Sequence, residues 1–265
     1  MAGNNYWQER NKSYQPGQVT PFKLSRSKIE DFLNCPRCFW LDRRLGIKRP
    51  DTPPFNINKA IDELFKKEFD SYRAASKQHP LQIKFKVKAK PFAHDQLNTW
   101  RENFVGVYTV HAGTNLHVFG AVDDVWVDDA GNLIVVDYKA TAKSKDITNL
   151  DPPGGWQDSY RRQMEVYQWL LRANGFPVSN TGYFVYANGD AARDDFGDML
   201  HFRTNVFAHE GDDAWVEPTL LKIKACLESD EIPPVGTRLM GGACDYCAYA
   251  RARTQMALAA IKLRQ

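Results

Sequence analysis

The sequence predicts an α/β (α+β) fold with a mixed central β-sheet flanked by helices. Segments rich in β-branched and aromatic residues alternate along the chain with segments whose apolar residues recur at helical spacing. A length of 265 residues with 43% hydrophobic content is enough to bury one substantial core. We therefore expect one main folded domain.

In chain order, the first helix is predicted to open near Leu24, where Ser25 or Ser27 can cap it. Further helices are predicted where apolar residues recur every three or four positions. They span residues 58–72, 95–104, 156–174 and 213–227. Strands are predicted where β-branched and aromatic residues cluster. They span residues 118–127, 133–139, 181–187 and 199–206, and the turn residues 128–132 join the first two into a hairpin.

A lysine-rich segment, residues 83–90, alternates apolar and lysine residues with the period of a strand. As a strand it would present Lys84, Lys86, Lys88 and Lys90 on one face, where they could track phosphates. The alternatives are an edge strand that lysine protects against aggregation, or a solvated face. The net charge of +3 does not indicate nucleic acid by itself.

The ends of the chain are expected to be less ordered than its centre. Residues 1–18 are polar and lack the apolar core of a signal peptide, and the sequence contains no apolar run of membrane-spanning length. A cytoplasmic location with no membrane partner is the expectation. We expect a disordered arm over residues 1–20, the folded domain over 21–255 and a tail over 256–265.

Three charged residues form the most informative constellation in the sequence: Asp123, Asp137 and Lys139. Asp137 follows the apolar residues 133–136, which are typical of a buried strand, and a charge there is costly unless it is paired or metal-bound. Because side chains alternate along a strand, Asp137 and Lys139 share a face, with Asp123 on the neighbouring strand. This set suits a hard divalent cation and a developing negative charge. The alternative is a solvated surface hairpin.

Four of the five cysteines form two C-x-x-C pairs, Cys35 with Cys38 and Cys244 with Cys247. In a reducing compartment such pairs bind metal more often than they form disulfides, and all four sulfurs can converge on one centre. The alternative is four unrelated thiols. Cys226 lies in a predicted helix and is most simply a buried apolar cysteine.

The order of these motifs resembles the PD-(D/E)xK nuclease superfamily. The resemblance rests on Gly-x-x-Asp ending at Asp123, then Asp-x-Lys, then Gln-x-x-x-Tyr formed by Gln163 and Tyr167. It is closer to the RecB-type exonuclease branch, whose members include nucleases with a cysteine-bound iron–sulfur cluster. The likeness runs from about Leu24 to Tyr249 and implies a restriction-endonuclease-like core.

The resemblance implies hydrolysis of DNA phosphodiester bonds with Mg or Mn. Asp123 and Asp137 would bind the metal, with the main-chain carbonyl of Tyr138 as a further ligand. Lys139 would orient or activate the attacking water and stabilise charge in the transition state.

Further residues are assigned by the same resemblance. Asp62 occupies the position where the family often has a histidine near the metal, and Glu63 is the alternative residue for that position. Gln163 and Tyr167 share a helix face, where the family contacts nucleic acid. The alternative for this pair is an ordinary interface, with Tyr167 in the core.

The cysteine pattern departs from the family. Cluster-bearing relatives have one cysteine before the core and three after it, and the last would fall near Arg253, but no cysteine follows Cys247. Cys38 can supply the missing thiolate. A [4Fe–4S] cluster and Zn therefore both stay open, and either would join the N-terminal helix to the C-terminal segment.

Three functions follow from these patterns. The first is a DNA nuclease of repair, recombination or defence, acting on single strands or ends, with a helicase or repair complex as partner. The second is a catalytically inactive DNA-binding or scaffold subunit with the same fold. The third is a zinc-bound protein unrelated to nucleases.

Overall fold

The computed structural model describes residues 13–50, 56–237 and 241–262. The chain divides into two compact units. Unit 1 comprises Met1–Thr52, Val110–His117 and Glu217–Gln265. Unit 2 comprises Pro53–Thr109 and Val118–Val216.

Helices and strands alternate along the described chain. The strands are β1 (Phe22–Ser25), β2 (Ala89–Pro91), β3 (Val107–His111), β4 (Leu116–Gly120), β5 (Asp124–Asp128), β6 (Leu133–Thr141), β7 (Thr181–Gly189) and β8 (Phe202–Glu210). The helices are α1 (Arg26–Asn34), α2 (Pro36–Leu45), α3 (Asn56–Ala74), α4 (Pro80–Lys84), α5 (Leu97–Trp100), α6 (Asp158–Ala173), α7 (Val216–Glu228) and α8 (Asp245–Lys262).

The predicted mixed sheet is confirmed. Five strands pair in the order β2-β5-β6-β7-β8, and three more pair in the order β1-β4-β3. In the larger sheet β6 and β7 are parallel, while the other neighbours are antiparallel. The parallel pair requires a crossover, which α6 provides.

Strand β6 is the centre of unit 2. Its residues Ile134, Val136 and Tyr138 pack with Phe65 and Phe69 of α3 in one apolar cluster. The alternate residues of β6 face the other way, and there Gln163 of α6 bonds to Asp137. The central strand therefore lies between α3 and α6.

The lysine-rich segment 83–90 is not a strand, so the predicted comb of four lysines on one face is wrong. α4 ends at Lys84, Lys86 has a φ of 56°, and strand pairing begins only at Ala89. The cause is a strong helix start, since the His79 side chain accepts the N–H of Leu81 and proline follows at the first helical position.

Other boundaries also differ from the sequence prediction. β1 precedes the first helix, which begins at Arg26, and the predicted helix 95–104 is only the short α5. Ser25 occupies the N-cap position but makes no capping bond. The predicted strand 118–127 is two strands, β4 and β5, in different sheets.

The predicted disordered arm falls partly outside the described residues, which begin at residue 13. Within unit 1, Tyr14 is buried, and its hydroxyl donates to Glu228. The predicted tail begins inside α8. Among the helices of the described ranges, none combines the length and apolar character needed to cross a membrane.

We expect Gly106→Ala to destabilise the protein by about 1–3 kcal/mol or more. Gly106 has a φ of 64°, and a Cβ there would lie 2.2 Å from the carbonyl oxygen of Gly120. Chemical denaturation measures the effect. Gly155→Ala is the matched control, since its Cβ would meet nothing closer than 3.7 Å, and equal stability of the two variants would contradict the prediction.

Candidate functional site

Strand β6 places Asp137 and Lys139 side by side on the face that α6 covers. Asp137 is fully buried, and its register partner on β7 is Phe184. The Lys139 ammonium forms an ion pair with Asp137 Oδ2, and Gln163 Nε2 donates to Oδ1 at 2.8 Å. A buried carboxylate is thus compensated on both oxygens.

Asp123 reaches the same strand from the chain just before β5. Its Oδ2 accepts the backbone N–H of Tyr138 at 2.9 Å, and Arg101 Nε donates to its main-chain carbonyl at 3.1 Å. Burial and then repulsion from Asp137 raise the pKa of Asp123 to about 7, against the opposing effect of Lys139. The predicted neighbouring position of the two aspartates is therefore seen, although Asp123 lies outside a strand.

Asp62 approaches from α3. Its Oδ2 accepts a hydrogen bond from Lys66 Nζ at 2.7 Å, while Oδ1 is buried and has no hydrogen-bond partner. Burial and the charge of Asp123 raise the pKa of Asp62. Glu63, the rival residue, is exposed.

A cavity of about 230 Å³ opens at this edge of unit 2. It is lined by Asn58, Ile61, Asp62, Tyr138, Lys139, Ala140 and Tyr160. Asp62 is in this lining and Glu63 is not, so the geometry favours Asp62 as the helix carboxylate of the site.

The acidic residues of the site offer the oxygen ligands that suit a hard divalent cation, although within the described ranges the four cysteines are the one His, Cys, Asp or Glu group of three or more that lies close enough to hold an ion. Asp62 Oδ1 lacks a partner, and the pKa of both Asp62 and Asp123 is raised by burial and by a neighbouring carboxylate. A cation among these oxygens would offset both penalties, and carboxylates are the ligands that Mg and Mn prefer. The main-chain carbonyl of Tyr138 as a ligand stays a prediction.

A second, structural charge network lies on the opposite face of β6. The Tyr138 hydroxyl donates to Asp124 Oδ2 at 2.8 Å, and Asp124 is fully buried. Asp124 also accepts from Arg73 and, at 2.9 Å, from Arg101. The network fixes β5 against β6 beside Asp123. The sequence analysis missed it, although the adjacent acids 123 and 124 were a signal that two differently directed carboxylates meet here.

Gln163 and Tyr167 share a face of α6, as predicted, and Gln163 Nε2 lies 3.3 Å from the Tyr167 hydroxyl. Both side chains are buried. Their contact with nucleic acid stays a prediction. The sequence analysis missed Tyr160, whose ring centroid lies 4.3 Å from Lys139 Nζ. Its position three residues before Gln163 on a helix was the available signal.

The four paired cysteines converge in unit 1, as predicted. The Sγ atoms of Cys35 and Cys247 are 3.8 Å apart, those of Cys38 and Cys244 are 3.8 Å apart, and those of Cys38 and Cys247 are 3.5 Å apart. All four lie within 4.8 Å of one another. Cys226 is outside this group, on α7, and is partly buried rather than buried, because the buried residues Leu220, Ile223 and Leu227 lie on a neighbouring face of that helix.

Comparison with known families identifies the class of this chain. The model of the PD-(D/E)XK nuclease superfamily matches residues 54–252, which is well over half of the sequence. The chain belongs to this superfamily, whose members are generally nucleases that use divalent metals. The resemblance to this superfamily and the restriction-endonuclease-like fold are thereby confirmed, while membership of the RecB-type branch stays a prediction.

Individual relatives add little. No curated protein matches the chain. Among solved structures, the chain is similar to one described as the crystal structure of SSO0001, with 15% identity and a TM-score of 0.32 over 80% of this chain and 79% of that chain. At that TM-score the similarity supports no argument.

We expect the apparent affinity for Mn²⁺ to fall about tenfold for each pH unit below about 7. The reason is that the carboxyl of Asp123, with a pKa of about 7, must lose its proton before it can bind a cation. Titration calorimetry from about pH 5 to about pH 8 measures this dependence. A constant affinity across that range would contradict the assignment of Asp123 as a ligand.

Proposed function

We propose that this chain is a divalent-metal-dependent nuclease that hydrolyses phosphodiester bonds in DNA. The proposal rests on one observation above the others: Asp137 and Lys139 form a buried ion pair at an edge cavity where Asp62 presents an unpartnered oxygen. An ion pair buried only for stability would gain little, because desolvation offsets most of its attraction. A position beside a metal and a phosphate explains why these charges are kept there.

The acidic residues of the site would hold the metal. Asp123, Asp137 and Asp62 offer carboxylate oxygens, and a bound Mg or Mn ion would polarise the scissile phosphate. Gln163 orients Asp137 through its 2.8 Å hydrogen bond. The role of Gln163 is then to position a ligand, whether or not it also meets the nucleic acid.

Lys139 acts as a cation in this proposal. Burial would lower the pKa of its ammonium, but Asp137 and Asp123 outweigh that effect and raise it. In the absence of a bound cation the group is therefore protonated at neutral pH. It can donate hydrogen bonds that orient the attacking water, and it stabilises negative charge that develops on the phosphate.

The finer assignment follows the sequence resemblance. We propose a RecB-type exonuclease that acts on single strands or DNA ends, in repair, recombination or defence, together with a helicase or repair complex. Linear single-stranded, linear double-stranded and circular DNA should be compared with Mg, with Mn and with a chelator. Cleavage of linear but not circular DNA is expected. DNA binding without metal-dependent cleavage would favour the inactive scaffold subunit instead.

We expect Lys139→Ala and Asp137→Asn each to reduce the cleavage rate by about 100-fold or more while DNA affinity changes little. The lysine acts on charge present only in the transition state, and an amide is a poor ligand for a hard dication. Single-turnover cleavage and fluorescence anisotropy measure the two quantities. The matched controls are Lys67→Ala and Asp129→Asn, which change exposed residues. Parent-like cleavage by both site variants would refute the proposal.

We expect Asp62→Ala to abolish metal-dependent cleavage and Glu63→Ala to leave it near the parent level. Asp62 lines the cavity and Glu63 does not, and the charge of Asp123 helps to raise the pKa of Asp62. The same cleavage assay, with circular dichroism to verify folding, compares the two variants. If Asp62→Ala retains normal activity, no carboxylate from α3 completes the site.

A further inference from the structure

We propose that the four-cysteine site of unit 1 binds a single zinc ion and not an iron–sulfur cluster. The inference goes beyond the nuclease function and does not depend on it. It starts from the sulfur separations, which are 3.5 to 3.8 Å for three of the pairs, with all four atoms within 4.8 Å of one another. Zn–S bonds of about 2.3 Å to the corners of a tetrahedron place sulfurs roughly 3.8 Å apart. The observed separations fit one ion.

An iron–sulfur cluster needs a wider site. In a [4Fe–4S] cluster each thiolate binds a different iron, so its sulfur lies about 4 Å from the cluster centre and roughly 6 Å from the next thiolate. In a [2Fe–2S] cluster the two thiolate pairs lie on different irons and are also widely separated. The 4.8 Å limit over the whole set leaves no room for either. The cluster implied by the sequence resemblance therefore does not fit these residues.

The arrangement of the two C-x-x-C motifs supports a closed, structural zinc site. Cys35 is the N-cap of α2, and Cys244 directly precedes α8. In both C-x-x-C motifs the second cysteine lies in the first turn of the helix. Four thiolates around a dication carry excess negative charge, and the positive ends of two helices offset it. Four protein ligands would leave no position on the ion open to a substrate.

The backbone of Gly236 links the two C-x-x-C motifs. Its N–H donates to Cys35 Sγ at 3.2 Å, and its carbonyl accepts the N–H of Cys244 at 2.8 Å. A Cβ at this position would lie 2.0 Å from the carbonyl oxygen of Asn34, so only glycine fits. Such hydrogen bonds to ligand atoms and ligand backbones are the usual support of a metal site.

The test is the metal content of the full chain, produced with iron and zinc both supplied and purified without oxygen. We expect about one zinc per chain, no sulfide, and no absorbance near about 400 nm. X-ray absorption at the zinc edge should give only sulfur neighbours at about 2.3 Å. Roughly four irons with sulfide, a single iron without sulfide, or no bound metal would each overturn the proposal.

Two cysteine variants test whether the four-cysteine group, and not Cys226, binds the zinc. Cys247→Ser changes the most exposed of the four ligands and should lower zinc retention at least tenfold in a chelator competition. Cys226→Ser is the control and should retain zinc like the parent, because Cys226 lies outside the group. Equal retention in the two variants would contradict a four-cysteine ion. The absorption measurement on the parent protein remains decisive if Cys247→Ser fails to fold.

Discussion

The burial of the Asp137 carboxylate in the middle of the central sheet is the constraint to which the rest of unit 2 conforms. A bare carboxylate at such a position would cost several kcal/mol, so compensating groups must reach it from its surroundings. Lys139 does so from the same strand and Gln163 from α6. Helix α6 must therefore pack on β6 at a fixed position along the strand and with a fixed rotation about the helix axis. The nearby Asp123 carboxylate is repelled by that of Asp137, and a bound cation would relieve this repulsion.

Because side chains alternate along β6, one face of the strand contributes to the candidate site and the other to a buried network. Asp137 and Lys139 face the site, while Tyr138 stacks on Phe65 with ring centroids 5.0 Å apart and donates to Asp124. A similar division occurs where β5 begins: Asp123, just before the strand, accepts the backbone N–H of Tyr138 in the candidate site, and Asp124 belongs to the buried network. A shift of register by one residue would exchange the two sets and destroy both. Stability and site geometry thus depend on one pairing.

Local patterns in the sequence predicted the parts of the site that lie on single elements. The apolar run before Asp137, the spacing of Gln163 and Tyr167, and the paired cysteines were sufficient because each is a short-range signal. The break between β4 and β5 was not predictable, since it depends on which distant strands compete for pairing. Arg73 and Arg101 were missed for a related reason: they meet Asp124 across 51 and 23 residues of chain. In the lysine-rich segment, helix capping at His79 overrode an alternation that would otherwise favour a strand.

Unit 1 is assembled from three pieces of chain, and two of its four converging cysteines come from the last piece. During synthesis, residues 53–109 and 118–216 are complete before Cys244 and Cys247 exist. The sequence of unit 2 is therefore complete while the first C-x-x-C pair still lacks its partners. Chains that stop before residue 244 lack two of the four cysteines, even when strand β6 is complete. If the four cysteines bind one ion as proposed, all four can hold it only in chains that were translated through residue 247.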